Sequence, residues 1–259
     1  MPDSYANQAV LSWSTSDTRV GDVSADGTVS AKGTAGEAFI TVKDSVSGAT
    51  ARASVRVIDV SIEPKVAFLA IGKELELKAS GGFTYSWMSS NPEIALVSEK
   101  GRVKGITPGQ VTITATDNNT QLKSTMSLTI VKVSIAGPSP AQVEVNNSIQ
   151  LTGSAEPVGY VPSISWSSSD TSFATVNSNG LVTGLSGGVV SIQVTDTKSG
   201  ASASLAVQVK VNLALLQIAP ASATLERNNT LQLTATGKYT DGKTVNLTNS
   251  VTWKSTEGG

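Results

Sequence analysis

Hydrophobic and polar residues alternate with a period of two along much of this chain. In residues 75–79, which read LELKA, apolar side chains alternate with charged ones, and similar patterns return at 149–151, 126–130, 205–209 and 231–235. Successive side chains of an extended strand point to opposite faces, so this period indicates strands with one face in a core and one in solvent. The pattern predicts an all-β chain without a helical period.

A longer repeat is superimposed on this alternation. Three tryptophans are each followed by a glycine 14 residues later, and an aspartate recurs further along each copy. The tryptophan–glycine pairs are Trp13 and Gly27, Trp87 and Gly101, and Trp166 and Gly180; the aspartates are Asp44, Asp117 and Asp196. Self-similarity at a fixed distance is the mark of a repeat protein, here with units of about 80 residues.

Each repeat contains turn residues and a tryptophan on an apolar face. Asp26-Gly27 and Asn179-Gly180 are dipeptides favoured in two-residue hairpins, in which both central residues have positive φ, whereas Lys100-Gly101 keeps only the glycine. Short strands separated by such turns predict an antiparallel sandwich. We expect the tryptophan of every copy to lie in a core; these residues are Trp13, Trp87, Trp166 and Trp253.

Two segments resemble the bacterial immunoglobulin-like (Ig-like) domain of group 2. Residues 164–185, ISWSSSDTSFATVNSNGLVTGL, are similar to the family's hallmark, and 216–220 with 231–242 resemble its opening strands. The resemblance covers essentially the whole chain. It implies tandem Ig-like β-sandwiches, as found in invasin- and intimin-type adhesins, S-layer proteins, phage tail proteins and surface-anchored enzymes. It implies no shared catalytic residues, because the family is a scaffold. The connections between the units are very short, and they predict that the sandwiches stack in an end-to-end rod.

The repeat register divides the chain into four parts. We predict the C-terminal half of an Ig-like unit at 1–59, full domains at 60–132 and 133–212, and the N-terminal half of a unit at 213–259. The two half-units are complementary, which leaves two interpretations. Either the chain is a segment of a longer protein, or the C-terminal half of one copy completes the N-terminal half of the next.

Composition narrows the chemistry and the partners. The chain has no cysteine and no histidine, which excludes thiol nucleophiles, disulfides and the usual zinc sites. Its net charge is −1 with scattered basic residues, so we expect no nucleic acid partner. No apolar stretch approaches the length of a membrane span, and we expect no direct membrane insertion. The start lacks signal-peptide features, so export information lies outside this segment or the segment is not exported.

Two sets of residues are candidates for a site. The recurring aspartates at strand ends, together with Asp17 and Asp170, are expected to cap turns through the backbone; calcium binding between units is the alternative. The segment Glu156 to Pro162 is the least repeat-like stretch of its unit, and its Tyr160 makes it a possible ligand loop.

The sequence therefore favours a non-enzymatic spacer of an adhesin, S-layer or fibre, outside the cell on a bacterial or virion surface. The expected partners are other copies of the chain or adjacent Ig-like domains. One alternative is an adhesion module that binds host protein or glycan through loops. The other is an accessory region of a larger surface enzyme.

Overall fold

The computed structural model describes residues 9–256, and the regular structure in this range is β-strand alone, as the alternation predicts. This part of the chain forms two compact units. Unit 1 contains 9–67, Gly72–Ile106 and Gln110–Thr129; unit 2 contains Phe68–Ile71, Thr107–Gly109 and 130–256.

The strands of the first half of the chain are short, apart from four longer ones, of which β4, β13 and β14 carry much of the core. They are β1 (Leu11–Thr15), β2 (Gly21–Val23), β3 (Val29–Ala31), β4 (Gly36–Asp44), β5 (Thr50–Val57), β6 (Ser61–Glu63), β7 (Val66–Ala70), β8 (Glu74–Glu76), β9 (Lys78–Ser80), β10 (Tyr85–Ser89), β11 (Ala95–Val97), β12 (Arg102–Gly105), β13 (Gly109–Asp117) and β14 (Lys123–Ala136). In unit 1 the sheet orders are β1-β4-β5, β2-β3, β6-β9, β11-β12-β8 and β10-β13-β14. Residues 130–136 of β14 belong to unit 2.

The remaining strands all lie in unit 2. They are β15 (Gln142–Glu144), β16 (Ser148–Gln150), β17 (Thr152–Glu156), β18 (Ile164–Ser168), β19 (Ala174–Val176), β20 (Leu181–Gly184), β21 (Gly188–Asp196), β22 (Ser202–Lys210), β23 (Leu213–Ala219), β24 (Thr234–Tyr239) and β25 (Thr244–Asn246). The sheets are β15-β22-β21-β18, β16-β20-β19, β14-β17 and β23-β24-β25. The pair β15–β22 is parallel, and β18, β21 and β22 pair antiparallel.

The tryptophan strand pairs in the same way in three copies. Strands β1, β10 and β18 lie antiparallel to β4, β13 and β21, each of which is the second strand after the turn glycine. In each pair the residue two positions before the tryptophan lies opposite the recurring aspartate; the pairs are Leu11 and Asp44, Tyr85 and Asp117, and Ile164 and Asp196. The repeat seen in the sequence is thus a repeat of strand register.

The cores follow the period of two. On β21, Val190, Ile192 and Val194 are buried, whereas the intervening residues face outward. Val190 and Ile192 pack with Leu151, Val182 and residues of β15 and β22, and Trp166 lies against this cluster. Val194 belongs to a second cluster, in which Val131, Val133 and Ala201 are also buried. Strand β13 buries Val111, Ile113 and Ala115 in the same way. Because the chain has no cysteine, core burial rather than disulfide bonding holds these sandwiches together.

The hairpin turns differ from the predicted type. Positive φ occurs at Gly27 and Gly180 but not at the preceding Asp26 or Asn179. The Gly27 amide donates to the Ser24 carbonyl, as Gly180 does to Asn177, so each turn is a tight turn that ends in a single left-handed glycine. One positive-φ residue is sufficient, and Lys100-Gly101 forms the same turn without an Asn or Asp.

Candidate functional site

The tryptophan ring in three copies lies directly on the turn glycine. Gly27, Gly101 and Gly180 have φ of +85°, +79° and +79°. A Cβ atom on these glycines would meet Cζ2 of the tryptophan at 2.8 Å for Gly27 and Trp13, 2.8 Å for Gly101 and Trp87, and 2.9 Å for Gly180 and Trp166. Glycine is therefore required twice over, by the backbone conformation and by the absence of room for a side chain.

The four tryptophans are buried to different extents. Trp13, Trp87 and Trp166 are half-buried, with the rings packed on the glycines. Trp253 is 40% exposed, so the prediction that it lies in a core is wrong. It follows β25 in an irregular stretch where the structure places no strand against it, and its indole nitrogen donates to the Thr248 carbonyl (3.0 Å).

The aspartate at the end of β21 is buried and fully engaged. Asp196 Oδ1 accepts from the Ser163 amide (2.7 Å). Its Oδ2 accepts from the Tyr160 hydroxyl (2.6 Å) and from the Ser199 amide and hydroxyl (3.1 and 2.5 Å). The side chain closes its own turn and also ties down the segment that leads into the tryptophan strand.

Unit 1 contains the same arrangement around Asp117. Its Oδ1 accepts from the amides of Phe83 and Thr84 (2.7 and 3.3 Å), and its Oδ2 from the Thr120 amide and hydroxyl (2.9 and 2.7 Å). Hydrogen bonds to the charged form favour it, so the Phe83 amide and the Thr120 hydroxyl lower the pKa of Asp117 to about 2.

Asp44 repeats the motif near the start of the described range. Its Oδ1 accepts from the Val10 and Val46 amides (3.1 and 3.2 Å), and its Oδ2 from the Ser47 amide and hydroxyl (3.1 and 2.6 Å). Asp17 and Asp170 likewise accept from backbone amides two residues ahead. The turn-capping interpretation of the aspartates is confirmed by these bonds.

Burial and hydrogen bonding act in opposite directions on the Asp196 carboxyl. Burial raises its pKa, but the bonds from Ser199, Tyr160 and the Ser163 amide outweigh this effect and the pKa is lowered. Burial and the bond to this carboxylate raise the pKa of Tyr160. At neutral pH the Asp196 carboxyl is therefore ionised and the Tyr160 hydroxyl is neutral, the protonation states that their hydrogen bond requires.

The aspartates do not assemble into a cation site. Each one lies in its own turn with its oxygens occupied by protein donors. Among residues 9–256 no three histidine, cysteine or acidic side chains form a group that could hold a metal ion. A calcium ion needs six to eight oxygen ligands, and the recurring aspartates supply no such set.

In the predicted ligand loop, residues 156–162, the side chains are not arranged as the sequence suggested. Glu156 ends β17 and is exposed, 3.7 Å from the Lys132 ammonium. Tyr160 is not displayed to a ligand: it is half-buried, its hydroxyl is bound to Asp196, and its ring lies 5.4 Å from that of Phe68. The exposed apolar side chains of this loop are Val158 and Val161, which sequence reasoning missed because an irregular loop has no period.

Between residues 9 and 256 there is no helix long and apolar enough to cross a membrane.

Sandwiches with a repeated tryptophan strand and a capped turn define an Ig-like repeat protein. The chain belongs to the bacterial Ig-like domain (group 2) family, whose sequence profile matches residues 56–127 and 131–207.

Two curated relatives are similar to parts of the chain. Ice-binding protein 1 of Shewanella frigidimarina (strain NCIMB 400) is 31% identical over 214 residues, covering 76% of this chain and 24% of that protein. The 3-O-alpha-D-galactosyl-alpha-L-arabinofuranosidase of Bifidobacterium longum subsp. longum is 43% identical over 81 residues, covering 29% of this chain and 7% of the enzyme. The chain thus spans a quarter or less of the length of these relatives.

Among solved structures, the chain is similar to invasin, a bacterial integrin-binding protein. The identity is 21%, the TM-score is 0.42, and the match covers 81% of this chain and 54% of that one.

Proposed function

We propose that this chain is a non-enzymatic structural region of a bacterial cell-surface protein, in which Ig-like units act as spacers in an adhesin, S-layer or fibre. The observation that carries the proposal is that one packing device recurs three times: a ring on a turn glycine beside a buried, donor-saturated aspartate. Recurrence at equivalent positions is what a scaffold requires, whereas a catalytic or binding site needs a residue set in one place.

The composition and the aspartates support a non-enzymatic role. The chain has no histidine or cysteine, and the buried carboxylates with lowered pKa are occupied by hydrogen-bond donors. We assign the two full repeats to 60–132 and 133–212, with half-repeats at 1–59 and 213–259.

The spacer role is tested by measuring whether an added repeat lengthens the particle. A variant in which residues 133–212 are duplicated in tandem is compared with the original chain by small-angle X-ray scattering. The nine-residue strand β21 spans about 30 Å at about 3.3 Å per residue, so one extra unit is expected to lengthen the particle by about that amount. An unchanged maximum dimension, meaning that the added unit folds back on the others, would contradict the spacer role.

The exposed valines favour a second candidate, adhesion through the 156–162 loop. Val158 and Val161 present apolar surface at a loop, where binding residues are often found. Binding to a glycan or host-protein array that is lost on Val158→Ser with Val161→Ser would support adhesion. The control is Val189→Ser, which replaces an exposed valine on β21, outside the loop.

The likeness to part of an arabinofuranosidase favours a third candidate, an accessory region of a larger surface enzyme. Sequencing the complete gene tests it directly, since a catalytic domain in the same reading frame is the expected finding. A gene that encodes Ig-like repeats alone excludes this candidate.

A further inference from the structure

Two arginines of β5 lie flat on phenylalanine rings in unit 1. The guanidinium carbon of Arg52 is 3.5 Å from the centre of the Phe39 ring. The guanidinium carbon of Arg56 is 4.8 Å from the centre of the Phe83 ring. Phe39 lies on β4 opposite Ser54, so the first stack joins neighbouring strands of one sheet. Both arginines are exposed, and together with the two rings they form what we call the arginine face.

The side of the sheet that carries Phe39 is also open to solvent in a full repeat. Phe39 comes directly before Ile40 on β4, as Ser191 comes directly before Ile192 on β21. Ser191 is exposed, whereas Ile192 is buried in the core of its sandwich. The other strands of a repeat pack against the inner side of the sheet, so they leave this outer side free.

The arginines and the ring on β4 interrupt the repeat at one place. At the matching positions the other two copies have small or uncharged polar residues: Thr125 and Ser204 for Arg52, Thr129 and Gln208 for Arg56, and Thr112 and Ser191 for Phe39. Packing devices recur in every copy of a scaffold. A set of residues that is present in one copy, on an exposed surface, instead indicates a binding site.

The two stacked guanidinium groups have no carboxylate partner. Among residues 9–256, the ion pairs of the structure include neither Arg52 nor Arg56. Arg102 of the same unit, by contrast, lies 3.1 Å from a Glu74 oxygen and 3.0 Å from a Glu76 oxygen. Stacking on a ring uses the flat side of a guanidinium and leaves the N–H groups at its rim available to an anion.

The surroundings of the two arginines suit a ligand with sparse negative charge and many hydroxyl groups. Lys43 adds a third positive charge on the same side of β4, and Glu37 lies opposite Arg56. Thr41 and Ser54 present hydroxyl groups beside the arginines. A nucleic acid gains its affinity from a long row of phosphate contacts, which three cations and one acid do not provide.

We propose that the arginine face binds an anionic polysaccharide, whose sulfate or carboxylate groups accept hydrogen bonds from Arg52 and Arg56. Hydrogen bonds between a guanidinium and an anion are charge-assisted and directional. The rings hold the arginines in place before the ligand arrives, so less side-chain freedom is lost on binding. The site is separate from the 156–162 loop, and it adds a binding activity to the spacer role.

Isothermal titration calorimetry of the full chain tests this site with two charged polymers. Dextran sulfate supplies sulfate groups and polygalacturonate supplies carboxylates, so the tighter of the two identifies the anionic group; uncharged dextran is the blank. Binding is expected to weaken as the sodium chloride concentration rises. Arg52→Gln and Arg56→Gln keep a polar side chain without the charge, and each is expected to bind about tenfold more weakly.

Two further variants make the test specific. Arg102→Gln is the matched control, since it removes the same charge from an exposed arginine of unit 1 that already has two carboxylate partners. It is expected to bind like the original chain. Phe39→Leu keeps every charge but removes the ring under Arg52, and it is expected to weaken binding. Far-ultraviolet circular dichroism confirms that each variant is folded.

Four results would overturn the site. These are no binding to either charged polymer, equal losses in Arg52→Gln and Arg102→Gln, unchanged affinity in Phe39→Leu, and equal affinity for single-stranded DNA. The second and fourth would reveal attraction to any polyanion. None of them bears on the spacer role, because the lengthening produced by a duplicated repeat is measured without a ligand.

Discussion

At the scale of single residues, the contact of tryptophan and glycine explains why the 14-residue spacing recurs. The ring needs a backbone surface without a Cβ, and the hairpin needs a residue that tolerates positive φ. Both requirements meet at one position. The spacing was visible in the sequence, but its cause was not, because a contact between a ring and a distant backbone leaves no local pattern.

The two requirements can be separated by comparing two glycines of unit 1. Gly101 and Gly72 have nearly equal φ, +79° and +77°, but a Cβ at Gly72 would meet nothing within 4 Å. We expect Gly72→Ala to cost about 1 kcal/mol, from strain alone. Gly101→Ala adds a clash with Trp87 and is expected to cost about 2–4 kcal/mol. Urea unfolding measures both losses, and equal losses would show that the ring contact contributes nothing.

The lowered pKa of Asp117 predicts how the stability of the fold depends on pH. Its folded-state pKa of about 2 lies below the ordinary 3.8, so the unfolded chain takes up a proton first as the pH falls. The carboxylate therefore stabilises the fold fully above about pH 4, and this contribution is lost as the pH falls towards 2.

The variant Asp117→Asn tests this dependence by urea unfolding at a series of pH values. It is expected to be less stable than the original chain at pH 7 and to lose less stability between pH 4 and 2. Thr120→Val removes one hydrogen-bond donor to the carboxylate. We expect this variant to lose less stability between pH 4 and 2 than the original chain, but more than Asp117→Asn. Parallel pH profiles for Asp117→Asn and the original chain would contradict the assignment.

At the scale of strands, the sequence predicted the alternation but not where a strand changes sheets. Residues 75–79 alternate as if they formed one strand, yet they divide at Leu77 into β8 and β9, which pair in different sheets. The Leu77 amide donates to the Gly101 carbonyl, and Leu151 and Gly180 repeat this bond between β16 and β17. The inward–outward pattern continues through the crossing, so hydrophobic period alone cannot detect it.

Only the local hydrogen bonds of the recurring aspartates could be predicted from the sequence. Because each aspartate recurs at the end of a strand, its side chain was expected to accept hydrogen bonds from the next few residues. Thr120 and Ser199 donate such bonds to Asp117 and Asp196. The amides of Phe83 and Ser163, more than thirty residues earlier, come to the same carboxylates through tertiary folding. The role of Tyr160 was missed for the same reason.

The burial pattern of β21 predicts that neighbouring residues contribute very different amounts to the stability of the fold. Ile192→Ala removes a fully buried side chain and is expected to cost about 2–5 kcal/mol. Gln193→Ala, one residue later on the exposed face, is expected to change stability by less than about 0.5 kcal/mol. Chemical denaturation measures both. Similar costs at the two positions would mean that β21 is not half-buried.

At the scale of the whole molecule, exposure to solvent distinguishes Trp253 from the other three tryptophans. It is 40% exposed, and the other three are half-buried. In dilute solution we expect acrylamide to quench a component of the fluorescence that disappears in Trp253→Phe. The half-buried rings packed on their glycines should contribute less to this quenching.

The comparison variant for that signal is Trp166→Phe, which removes a half-buried ring packed on Gly180. This variant is expected to keep the strongly quenched component, because the exposed indole of Trp253 is still present. A strongly quenched component that survives in Trp253→Phe would contradict the exposure of that indole.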